Sequence, residues 1–244
     1  MRILGIECTA TPVSCAVLED GKLKGEFFLN LKTTHSQTLL PMVESVLKLS
    51  GLELKDIDVV AATAGPGSFT GVRIGISAVK GLCFADEKPC IPVSVLESMA
   101  YNLIGQNCIV CACMDARCNQ VYNALFEVKD GVIIRLCDDR ALMIDECLND
   151  LAEIYNKSPE TPIFAVGDGA ELFVRTTEGK GVTIKLPPEH MKLQRASSVC
   201  FVAEKKALVG DKVDPDTLLP VYLRLPQAER ELKKKQEANL KGSI

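Results

Sequence analysis

The chain has 244 residues and a mass of 26.5 kDa, room for one large domain or two small ones. Its side chains are 47% apolar and 25% charged; that much apolar surface offsets the entropy of ordering and excludes a disordered chain, while no window approaches the roughly 18 uncharged apolar residues of a membrane span. The net charge of −4 and the pI near 5.4 argue against tight nucleic-acid binding by this chain alone, which wants a basic face.

Residues 2–8 read as a strand feeding a loop of small polar residues. Glu7 interrupts the apolar opening, so no secretory leader is expected. Val13–Glu19 is a second strand and 22–31 a third. They are joined by Asp20-Gly21, whose residues tolerate the left-handed backbone of a tight hairpin. Thr33, Thr34 and Ser36 offer N-cap oxygens to a helix of about fifteen residues that Gly51 ends. A buried strand follows at 57–63. The tight loop Gly65-Pro66-Gly67-Ser68-Phe69-Thr70-Gly71 then opens a helix over 71–85, and a further helix spans about 94–104.

A second cycle starts at 108. Strands are predicted at 108–114, 120–127 and 131–136, a helix at 144–155, a strand at 162–166, a helix after Gly167-Asp168-Gly169, a strand at 182–186 and a helix at 197–208. The repeated order of three strands, helix, strand, helix predicts two α/β lobes of mixed sheet topology with a cleft between them. The expected boundaries are 1–105 for the first lobe, 106–226 for the second and 227–244 for a charged, frayed tail; RNA contact through Lys233, Lys234 and Lys235 is the sharper but weaker reading of that tail.

Eleven cysteines in a chain of this size fit free thiols in a reducing compartment better than a disulfide frame. Cys108 and Cys111 lie on opposite faces of a predicted strand, which is wrong for chelation, and there Cys acts as a small hydrophobe.

Five strings carry a family resemblance. They are His35-Ser36-Gln37-Thr38-Leu39-Leu40-Pro41, then Leu54-Lys55-Asp56-Ile57-Asp58, then Thr63-Ala64-Gly65-Pro66-Gly67-Ser68-Phe69-Thr70-Gly71-Val72-Arg73-Ile74-Gly75, then Ile91-Pro92-Val93-Ser94, and finally Val221-Tyr222-Leu223-Arg224. Together they resemble the bacterial TsaB (YeaZ) family. That resemblance implies a two-lobed actin-like ATPase fold, each lobe a mixed sheet with helices. It implies a part in forming N6-threonylcarbamoyladenosine beside the tRNA anticodon, as a non-catalytic subunit that pairs with its catalytic paralogue TsaD and is joined by the ATPase TsaE. It further implies a homodimer where TsaD is absent, tRNA contact only through the complex, a cytoplasmic location and no membrane association.

TsaD-like proteins carry His-His-Met-Glu-Gly-His after Ile-Pro-Val. This chain continues Ser94-Val95-Leu96-Glu97-Ser98-Met99 instead. Val95 and Met99 stand where metal-binding imidazoles would be, and an alkyl group and one thioether do not replace them. The chain has two histidines, His35 and His190, far apart in sequence. Neither a metal site nor a catalytic residue is expected.

For a nucleotide or anion the candidates are Glu7, Thr9 and Thr11 after the first strand, Gly67 and Ser68 at the second helix, and Gly167 and Gly169. The 65–71 loop reads first as a structural turn and second as an anion site, and no cofactor is assigned beyond ATP or ADP at the interface of a complex. The candidate partner face comes from helices more apolar than one core stripe requires: His35, Leu39, Met42, Val43 and Val46, with Arg73, Ile74, Ser77, Lys80 and Gly81. Gly71, Gly75, Ala78 and Gly81 recur at helical spacing and suggest a groove for another helix. Either both helices are covered by their own chain, or their surplus apolar surface marks a partner site. The competing functional reading, a stand-alone kinase or glycoprotease-like peptidase on the same fold, has only the cleft and Glu7 behind it.

Overall fold

The computed structural model describes residues 1–84 and 86–224; the expected charged tail, 227–244, lies outside them. The first sheet is built from β1 (Arg2–Glu7), β2 (Val13–Glu19), β3 (Lys22–Leu29), β4 (Val59–Gly65) and β5 (Cys90–Ser94) in the order β3-β2-β1-β4-β5. β1 pairs antiparallel with β2 and parallel with β4. Asp20 and Gly21 adopt φ of 46° and 73°, the left-handed pair that the tight hairpin requires.

The second sheet repeats the plan. β6 (Cys108–Asp115) is central, antiparallel to β7 (Gln120–Lys129) and parallel to β10 (Ile163–Val166). β8 (Val132–Arg135), β9 (Arg140–Met143) and β11 (Ile184–Lys185) complete it, in the order β11-β10-β6-β7-β8 with β9 on β7. This is the two-lobed actin-like plan expected above.

The helices are α1 (His35–Leu49), α2 (Phe69–Phe84), α3 (Val95–Ala100), α4 (Ile144–Lys157), α5 (Ala170–Thr177), α6 (Glu189–Lys192) and α7 (Ala196–Leu208). Along β1 the period-2 alternation divides the core: Leu4 and Ile6 join the α1–α2 side, Ile3 the α7 side. In the second lobe, β6 sends Cys108 toward α3 and Cys111 and Cys113 toward α4 and α5, the opposite-face placement that the strand period demands. α3 and α7 touch each other and lie between the sheets.

Several expectations are corrected. α3 stops at Ala100 and continues only as a short 3-10 turn, Tyr101–Leu103. β9 and α6 were not foreseen; both are four residues long, too short for a periodic signal. Thr34 takes the N-cap position of α1, but no side-chain cap bond forms. The expected second lobe, 106–226, contains the second sheet, yet α7 packs on the first. Ser14 Oγ accepts from Ala196 N at 2.9 Å, and Glu26 Oε1 accepts from Ser197 N at 2.9 Å. These contacts bring an acid to the positive end of α7. Gly5 is compelled by the same packing, because a Cβ there would meet Cys200 Sγ at 2.5 Å.

Candidate functional site

The family-like loop 65–71 is a junction of four segments. Ser68 N donates to Thr9 O at 2.7 Å. A Cβ on Gly67 would lie 2.6 Å from Thr9 O, one on Gly71 2.1 Å from Cys8 O, and one on Gly65 2.5 Å from Val221 O. Three glycines of the string are therefore required by three backbone approaches. Thr9 N and Thr9 Oγ1 both donate to Glu7 Oε1 at 2.6 Å, and Ser68 Oγ accepts from Gly71 N at 3.2 Å. The Thr9 N–H and hydroxyl and the Ser68 N–H are thus engaged by the chain itself. Gly167 and Gly169 are explained in the same way: a Cβ would meet Cys113 O at 2.1 Å and Asp115 N at 2.8 Å, respectively. They let the turn press closely on β6.

Beside this junction a cavity of about 630 Å³ opens between the lobes. Thr11, His35 and Ser68 face it from the first lobe, and Asp115, Arg117 and Asp168 from the second. His35 Nε2 lies 3.2 Å from Thr11 O, so the structure puts His35 in the cleft wall and not on the outer helical face. Glu7 is buried, its Oε2 has no partner among the described residues, and burial pushes its carboxyl pKa up. Asp168 keeps an exposed edge toward the cleft, while the protein packed around it, with Asp115 adding to the effect, pushes its carboxyl up to about 6 against a donated bond from Gln194.

A folded-state pKa above the unfolded one destabilises the fold at neutral pH, and that penalty disappears as pH falls through about 6 toward 4. Asp168→Asn is therefore expected to raise the melting temperature near pH 7.5 and to leave it unchanged near pH 4. Solvent screening at the exposed edge limits the gain to about 1 kcal/mol. Thermal denaturation across that range checks it.

The candidate partner residues divide. Leu39, Met42, Val43 and Val46 are 1%, 8%, 2% and 1% exposed and belong to the core under the first sheet, because α1 sits squarely on β2 and β3. They are removed from the outer face. Arg73, Ile74, Ser77, Lys80 and Gly81 are exposed or half-buried on the outward stripe of α2. Leu40 and Glu44 supply the neighbouring stripe of α1. The supposed groove shrinks as well. Gly71 and Gly75 face inward, and a Cβ on Gly75 would meet Cys8 Sγ at 2.8 Å; only Gly81 opens on empty space.

Sequence reasoning missed what the chain does after α7. Residues 209–224 return across the first lobe as a strap. Val213 and Cys90 exchange backbone bonds at 2.8 and 2.9 Å, Lys80 Nζ donates to Asp216 O at 3.1 Å, and Val221 N donates to Ala64 O at 2.7 Å. The Tyr222 ring stacks on Phe69 with centroids 4.4 Å apart. The Arg224 guanidinium hydrogen-bonds the Ala116 carbonyl in the second lobe. The only sequence signal was the closing string 221–224, which carried a likeness but no partner. Val95 and Met99 are fully buried among apolar neighbours. Among the described residues no group of three His, Cys, Asp or Glu side chains could hold a metal ion, and no helix is long and apolar enough to cross a membrane.

Residues 30–232 match the family model described as TsaD, tRNA N6-adenosine threonylcarbamoyltransferase. The chain is 38% identical to the tRNA threonylcarbamoyladenosine biosynthesis protein TsaB of Haemophilus influenzae, over 92% of this chain and 94% of that one. It is 30% identical to the protein of the same name from Bacillus subtilis, over 94% and 96%. Among solved structures it is similar to YeaZ from Pseudomonas aeruginosa, with a TM-score of 0.76 and 27% identity over 91% of this chain and 99% of that one.

Proposed function

The chain belongs to the TsaD/TsaB family of tRNA threonylcarbamoyladenosine biosynthesis proteins, and from that premise we propose that it is the non-catalytic scaffold subunit that binds and activates a TsaD paralogue. The observation that carries this reading is the likeness to relatives named TsaB over nearly the whole length of both chains. The residues support it. Where a TsaD-like helix would carry imidazoles, Val95 and Met99 are buried alkyl and thioether groups, and in the first-strand loop both donors of Thr9 are engaged by Glu7.

Docking is assigned to the first lobe, through the outward stripes of α1 and α2. TsaE joins the pair; tRNA is reached only through the complex; the same face closes a homodimer when TsaD is absent, as a two-fold contact allows. Any ATP or ADP sits at the interface of the complex. The setting is the cytoplasm.

Size-exclusion chromatography with light scattering, on the chain alone and mixed with TsaD from the same organism, tests the reading. A homodimer that converts to a one-to-one heterodimer, with tRNA modification by TsaD and TsaE collapsing when this chain is left out, is the expected result. A chain indifferent to TsaD, or one that turns over ATP or cleaves peptides alone, would favour a stand-alone enzyme instead.

A further inference from the structure

Arg73 differs from the other residues of the α2 stripe in being held. Its guanidinium lies over the Phe69 ring, 3.9 Å from the centroid, and its Nε donates to Tyr222 Oη at 2.8 Å. Tyr222 is itself stacked on Phe69 and anchored through Val221 N to Ala64 O. One side of the fork is thus fixed by two aromatic rings and a hydrogen bond. Its Nη1 and Nη2 donors have no partner among the described residues, and the side chain is exposed on the outer face.

Compare Lys80 on the same stripe. One of its three donors goes to Asp216 O of the strap, it is half-buried, and its head rides on a flexible stem. Arg73 differs in holding its Nη1 and Nη2 groups in a plane fixed by Phe69 and Tyr222. A guanidinium so oriented has already lost most of the rotamer freedom that binding would otherwise remove. Its Nη1 and Nη2 amino groups can each point one N–H at one of the two oxygens of a carboxylate.

We propose that Arg73, pre-oriented by Phe69 and by Tyr222 of the strap, is the anchor of the partner face and receives an Asp or Glu carboxylate presented by the docked TsaD subunit. This deepens the scaffold reading and rests on it. Arg73 confers specificity because its fixed fork rewards an anion that presents two oxygens at once. Tyr222 is a positioning residue that acts through Arg73.

The test is a double-mutant cycle on affinity for TsaD, read by calorimetry with the full chain. Arg73→Lys keeps the charge and loses the fork, and is expected to weaken binding at least about tenfold. Tyr222→Ala is expected to weaken it severalfold, and to add nothing in an Arg73→Ala background. Tyr222→Phe, which keeps the stack and loses the acceptor, falls between wild type and Tyr222→Ala. Melting temperatures identify any variant that fails to fold, in which case Tyr222→Phe and Arg73→Lys carry the cycle. Wild-type affinity in Arg73→Lys, or additive effects of the Tyr222 and Arg73 changes, would overturn this inference while leaving the scaffold reading intact. A wild-type chain that does not bind TsaD at all would sink both.

Discussion

Val43→Asp unfolds the first lobe, whereas Ile74→Asp leaves it folded and abolishes binding of a partner. Both residues are apolar and both lie on the paired helices, yet their surroundings are opposite. Val43 is 2% exposed and packed in the cluster that joins α1 to the first sheet. An unpaired carboxylate there meets no donor, and its burial costs several kcal/mol. A domain of this size holds only about 5–15 kcal/mol in total, so a loss of that size is expected to appear as a collapsed melting transition and aggregation on chromatography. Ile74 is half-buried at the edge of the same cluster and faces outward beside Arg73. A carboxylate there reaches water in the free chain, and the expected stability change is about 1 kcal/mol or less. In a docked complex it would be desolvated next to apolar surface, which is expected to reduce affinity by at least about a hundredfold. Circular dichroism melts and a TsaD titration, run on both variants, separate the two effects. A folded, binding-deficient Val43→Asp would refute the assignment of Val43 to the core.

Gly167→Ala is the second change with a large expected effect. Gly167 combines φ of +105° with a Cβ position 2.1 Å from Cys113 O and 3.0 Å from Met99 Sδ. The first feature strains any L-residue. The second forces the 167–169 turn away from β6, and with it the start of α5. Strain and displacement together are expected to cost about 3 kcal/mol or more, roughly 6–12 °C in melting temperature for a chain of this length. Gly131 is the control: its φ is +74°, but a methyl group there would meet nothing within 4 Å, so Gly131→Ala is expected to cost only the turn strain, about 1 kcal/mol. Equal losses at the two sites would show that the close approach to Cys113 contributes nothing.

Much of the fold was legible in local chemistry. The period-2 runs of β1, β2 and β6, the Asp20-Gly21 turn and the Gly51 stop each rest on a few neighbouring residues, and these are the elements whose bounds came out within two residues. The elements that were missed or shortened, α3, β9, α6 and β11, have six, four, four and two residues; pairing with a neighbouring strand or docking on it specifies them more than their own pattern does.

The candidate site was legible in a narrower sense. The string from Thr63 to Arg73 marked a segment of close backbone approach, because glycines at that density mark places where backbones must approach closely. What they approach was invisible. Cys8, Thr9 and Val221 are respectively 63, 58 and 156 residues away from Gly71, Gly67 and Gly65, and no local period records such contacts. The partner helices show the same limit. Leu39, Met42, Val43 and Val46 satisfy the pattern of an apolar face, but apolarity alone does not say whether the face meets its own sheet or another chain. The position of α1 on β2 and β3 decided that, and it left Arg73, Ile74, Ser77, Lys80 and Gly81 as the outward residues.

The amino-acid pattern was thus sufficient for the two-lobed plan, because periodicity and turn chemistry are properties of residue type and short spacing, and its family-like strings were sufficient for the family. The sidedness of the helices, the crossing of α7 to the first sheet and the strap that fixes Arg73 against Phe69 and Tyr222 came from the folded chain alone. They depend on contacts between residues far apart along the chain, where the free energy of packing, and not any local preference, chooses which surfaces are buried.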